Sequence, residues 1–89
     1  MKYIMQKIED VSDDTSYGVR LVVEPLVGGY AASLQDDRNG ERLVLNTRLD
    51  IPASQRLLPT DNQIECQSFG KTVSEAIDNL EALCQRDYE

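Results

Sequence analysis

The sequence predicts an α+β fold: a small antiparallel β-meander of three to four strands with one C-terminal helix packed on one face. Three observations predict it. Period-two alternation marks the strands, a Gly-Gly pair and an Asn-Gly pair mark the reversals, and a capped apolar stripe marks the helix. With 89 residues the chain has room for one domain and not for two.

The first strand is expected over 17–24, where Tyr17, Val19, Leu21 and Val23 alternate with Gly18, Arg20, Val22 and Glu24. Pro25 ends it, having no N–H for the ladder. Gly28-Gly29 supplies the permissive backbone for a reversal. Residues 30–35 return with Tyr30, Ala32 and Leu34 on one face and the small or polar Ala31, Ser33 and Gln35 on the other. Asp36-Asp37-Arg38-Asn39-Gly40 reads as a tight turn.

A long strand is expected over 41–51, its Leu43, Leu45, Thr47, Leu49 and Ile51 alternating with Arg42, Val44, Asn46, Arg48 and Asp50; one nearly apolar face and one mostly polar face is how a sheet with one wet face reads. Pro52 closes it, and a connection with Pro59 leads to a fourth strand over 63–69 carrying Ile64, Cys66 and Ser68 on one face. Thr72-Val73-Ser74-Glu75 matches a capping box. Val73, Ala76, Ile77, Leu80, Leu83 and Cys84 then give one apolar helical stripe that should lie across the sheet. Upstream, Met1, Ile4, Met5, Ile8 and Val11 have helical spacing, although Tyr3 to Met5 would also suit an edge strand. Strand order is expected to be β-β-β-β-α, with an unpaired edge open to a second copy or a partner strand.

Composition narrows the function. Sixteen acidic residues against 9 basic give a net charge of −7. Such a surface repels phosphate backbones and anionic lipid and favours a basic protein partner, so neither direct nucleic-acid binding nor membrane attachment is expected. A core this small buries only about 60–65% of the unfolded surface, so self-association would add stability and a homo-oligomer is expected. No signal-like or spanning apolar run is present, and the cytoplasm is the expected compartment, with both thiols reduced.

Little chemistry is written in the residues. Asp13-Asp14 and Asp36-Asp37 lack calcium-loop spacing and read as solvated turns. Cys66 and Cys84 have no histidine anywhere in the chain to activate them and read as core residues, near each other if the helix roofs the sheet. No catalytic, cofactor-binding or metal-binding residue is assigned, and no cofactor or enzyme activity is expected. Residues that could instead form an interface are Tyr17, Tyr30 and Tyr88, with one wet and one apolar end, and Arg20, Arg42 and Arg48, on polar strand faces where ion pairs with Glu24 and Asp50 are in reach.

Two segments carry a resemblance. Gly28-Gly29-Tyr30-Ala31-Ala32 resembles the G-G-Y-x-A strand start of the HicB-type antitoxin domain. Residues 66–79 resemble that family's C-x-S-x-G-x-T-x-x-E-A-x-x-N pattern through Cys66, Ser68, Gly70, Thr72, Glu75, Ala76 and Asn79. The resemblance covers roughly half the chain. It implies a curtailed RNase H-like β-β-β-α core, dimers or larger assemblies, and a non-enzymatic role: occluding the active face of a small, basic, RNA-cleaving toxin. The sequence departs from the pattern by an N-terminal extension over 1–16, by an inserted hairpin and loop over 36–63, and by the lack of the DNA-binding module that often follows this helix. Two other readings are a structural or regulatory module of the same fold without a toxin, and a metal-dependent nuclease using Asp13, Asp36 or Asp37.

Overall fold

The computed structural model describes residues 1–46 and 63–88. Its elements are α1 (Lys2–Asp14), β1 (Val19–Leu26), β2 (Gly29–Asp36), β3 (Val44–Asn46), β4 (Gln63–Glu65), β5 (Gln67–Gly70) and α2 (Val73–Tyr88). The fold is α+β. Strands β1, β2 and β5 form an antiparallel sheet in the order β1-β2-β5, and β3 pairs with β4 in a separate two-stranded sheet.

The C-terminal helix forms where expected. The Thr72 hydroxyl accepts the Glu75 N–H at 3.1 Å, so the Thr72 arm of the capping box is in place. Ala76, Leu80 and Cys84 on the helix share one fully buried cluster with Ala32 and Leu34 on the sheet and with Cys66 between β4 and β5, and Ile77 and Leu83 pack at the margin. Val73 departs from the expected stripe and is exposed.

Of the two readings open for the N-terminus, helix or edge strand, the helix is the one formed: residues 2–14 are helical, so a helix is added before the expected β-β-β-β-α order. Ile4 is fully buried in the same core as α2, with Tyr3 and Ile8 beside it, while Met1 and Met5 stay exposed. Both helices thus cover one face of the sheet in two layers.

Four strand expectations shift. The first strand runs over 19–26 instead of 17–24 and passes through Pro25, which pairs with Tyr30. It can do so because β1 is an edge strand, where a missing N–H breaks no ladder bond. Reversal occurs at Val27-Gly28, with Gly28 at φ +86°. The second strand extends to 29–36, and Ala31, Ser33 and Gln35 on its small or polar side are buried as well. The expected fourth strand is split at Cys66 into β4 and β5. There the backbone changes partners: Cys66 N–H donates to Leu43 O at 2.8 Å and Cys66 O accepts Leu34 N–H at 3.0 Å. Of the strand expected over 41–51, Val44–Asn46 is extended, preceded by an isolated bridge between Arg42 and Gln35; the rest lies outside the described residues. Residues 44–46 and 63 do add strands, but to the small sheet rather than to the main one.

Candidate functional site: the hairpin end of the sheet

The two sequence motifs meet at one end of the molecule. Gly29 on β2 lies against Gly70 on β5, since a Cβ built on Gly29 would come within 2.4 Å of Gly70 O. Gly70 in turn lies against the first turn of α2: a Cβ there would stand 2.4 Å from Ala76 N. Backbone approaches this close require glycine at both positions. Asn79 ties the same corner from the helix side, its Nδ2 donating to Phe69 O at 2.7 Å.

This packing leaves an open cavity of about 280 Å³ lined by Leu26, Val27, Tyr30, Phe69, Lys71 and Glu75 together with the glycine backbone. Its rim is apolar and wet. Phe69 is 57% exposed, Leu26 47%, and Val27 at the hairpin tip is completely exposed. Lys71 and Glu75, both exposed, add one charge of each sign. Apolar side chains held in water around a concave surface are the composition of a binding site.

The residues first considered for an interface scatter. Tyr30 is half-buried, packs on the core and reaches this cavity. Tyr17 is half-buried at the opposite end of the sheet, with the Arg38 guanidinium 3.8 Å from its ring centre, a cation–π contact that ties it to the turn after β2. Arg20 and Arg42 do share a face, each placed in register beside Gln35. Arg42 lies 3.8 Å from Glu65, a partner the sequence did not suggest, while Glu24 stands opposite Ala31. Arg48 lies outside the described residues, and Tyr88 is the last residue of α2.

Among the aspartates, Asp36 is committed to its own turn. Its carboxylate accepts the Arg38 N–H at 2.8 Å and the Arg38 guanidinium at 2.8 Å. The hydrogen bonds from Arg38 hold this carboxyl below its ordinary value. The cysteines come together as the roofed sheet implied. Both are fully buried, and hydrogen bonding to Cys84, then burial, pushes the Cys66 thiol far up.

Leu26, Val27 and Phe69 were missed by the sequence reading. A signal was present: Val27 is an apolar residue in a two-residue turn, and Phe69 falls out of phase with Cys66 and Ser68. No described helix is long and apolar enough to cross a membrane. Compared with family models, with curated proteins and with solved structures, the chain has no significant match.

Proposed function

We propose that the chain is a non-enzymatic protein-interaction domain that binds its partner at the hairpin end of the sheet. One observation carries the reading: Leu26, Val27 and Phe69 stand exposed around one open cavity, beside the close approach of Gly29 to Gly70. Three large apolar side chains in water are costly unless covered some of the time, at roughly 1.5–3 kcal/mol for each when fully buried.

The partner that fits best is a small basic protein. The net charge of −7 speeds encounter with such a protein and repels nucleic acid. Gly28 to Tyr30 and Phe69 to Glu75 of the cavity lining fall in the HicB-like segments, while Leu26 and Val27 precede them; the overlap supports an antitoxin role in which the partner is an RNA-cleaving toxin. Asp36, one of the aspartates a nuclease reading would use, is held by Arg38, which favours binding over catalysis.

The test is co-purification from the native host with the tagged chain, in parallel with Val27→Asp and Phe69→Asp. Both positions are exposed, and melting curves check that each variant folds. The expected result is a small basic protein that cleaves RNA when freed, is silenced on adding the chain, and is lost with both variants. Equal recovery with the variants, or a recovered protein whose activity the chain leaves untouched, overturns the reading.

A further inference from the structure

The outer edge of β1 has a direction and a charge pattern that match its own reverse. On β2, Leu34 and Asp36 point their backbone groups away from β1: the Leu34 N–H goes to Cys66 O at 3.0 Å and the Asp36 N–H to Glu41 O at 2.8 Å. Backbone direction alternates along a strand, so Ala31, Ser33 and Gln35 point toward β1. Their register partners Glu24, Val22 and Arg20 point back at them. The outward-facing groups of β1 are therefore those of Val19, Leu21, Val23 and Pro25. Pro25 thus has its missing N–H on the side where β2 does not need it. Among the described residues no strand pairs with this edge. Val19, Leu21, Val22 and Val23 remain only half-buried, although the odd-numbered three pack on the core.

We propose that β1 is the site of association with a second copy of this chain, pairing antiparallel about a two-fold axis at Val22 and joining the two sheets into one. In that register Leu21 of one copy faces Val23 of the other, and both have outward backbone groups, so the ladder bonds form. Val22 faces Val22. Arg20 faces Glu24, and Glu24 faces Arg20, as non-hydrogen-bonded pairs in which side chains approach most closely. Sliding the pairing by two residues either way keeps the backbone phase but moves Arg20 opposite Val22 or Leu26, leaving both charges without partners. Charge therefore selects the register. A two-fold interface of this kind is closed, because each copy uses the same edge. Pro25 withdraws a donor at the end of the ladder and discourages longer, open-ended pairing. This interface is distinct from the Val27–Phe69 end, so either can fail without the other.

The test is sedimentation equilibrium on the full chain with charge-reversal variants. Arg20 and Glu24 are both exposed, and melting curves monitor folding of each variant. The wild type is expected to dimerise. Arg20→Glu places Glu opposite Glu, and Glu24→Arg places Arg opposite Arg, so each alone should weaken dimerisation about tenfold or more. An equimolar mixture of the two variants restores both opposite-charge pairs and should form a heterodimer tighter than either homodimer. The double variant R20E/E24R should recover wild-type association. A wild type that stays monomeric at its highest soluble concentration overturns the proposal. So do single reversals that leave dimerisation unchanged, or a mixture that associates no better than its components.

Discussion

Glu81 on α2 accepts the backbone N–H of Ile4 at 3.0 Å, and the same carboxylate takes that of Tyr3 at 2.9 Å. Helix α1 has no side-chain cap of its own at Met1, so its first amides are satisfied from the far end of the chain. The Met1 ammonium lies 3.3 Å from the same group. One carboxylate thus fastens the first helix to the last, next to the buried Ile4.

Glu81→Ala should cost about 1 kcal/mol or somewhat more, the usual loss of a helix cap, and should deprotect the first turn of α1 to hydrogen exchange. Partial burial pushes the Glu81 carboxyl up, but the amides of Tyr3 and Ile4 and the Met1 ammonium outweigh it, and the group is held below its ordinary value. A carboxyl lowered in this way contributes stability that is complete above its unfolded value, about 4.3, and is lost as pH falls through the folded one. Asp36 acts in the same direction. Melting temperature is therefore expected to fall below about pH 4, with a shallower fall in Glu81→Gln. A variant that tracks the wild type down to pH 3 would show that the clamp contributes nothing.

Leu80→Ala should cost about 2–4 kcal/mol, from lost burial and the cavity left between α2 and the sheet. Leu80 is fully buried in the same core cluster as Ala32, Leu34 and Ile4. Chemical denaturation would measure it, and an unchanged midpoint would remove Leu80 from the core.

Gly70→Ala and Gly28→Ala should separate two uses of glycine. A Cβ at position 70 meets backbone, Ala76 N at 2.4 Å and Glu75 C at 2.8 Å, so the helix must shift, at about 1–3 kcal/mol. At Gly28 the space is open and only the positive φ of 86° opposes a side chain, at about 1–2 kcal/mol. Thermal melts should rank Gly70→Ala as the more damaging. Partner binding at the cavity should be weakened by Gly70→Ala beyond what the loss of folded protein explains.

Cys66 and Cys84 should resist a water-soluble disulfide reagent at pH 8 until the protein unfolds. Both are fully buried, and the hydrogen bond to Cys84 together with burial disfavours the Cys66 thiolate that would react. Titration with and without denaturant checks this. Rapid labelling of the folded protein would mean that α2 lifts from the sheet readily.

The helix and the hairpins were legible for local reasons. The Thr72 cap, the spacing of Ala76, Leu80 and Cys84, and the glycine that allows the turn at Gly28 act within a few residues, so adjacent sequence carries them whole. The split at Cys66 was not legible. Residues 63–69 alternate as one strand would, and only the competing hydrogen bonds to Leu43 and Leu34 divide them. The burial of Ser33 and Gln35 was not legible either: alternation reports which side chains share a face, not whether that face is covered.

The amino-acid sequence by itself determined the class of fold, the acidity of the surface and the face of α2 that meets the sheet, because periodicity, charge and capping are properties of neighbours along the chain. Only the tertiary structure decided that the first residues form a helix fastened by Glu81, that Gly29 and Gly70 touch, and that Leu26, Val27 and Phe69 share a rim. Those are contacts between residues tens of positions apart. They depend on which strand lies beside which, and no local pattern encodes that.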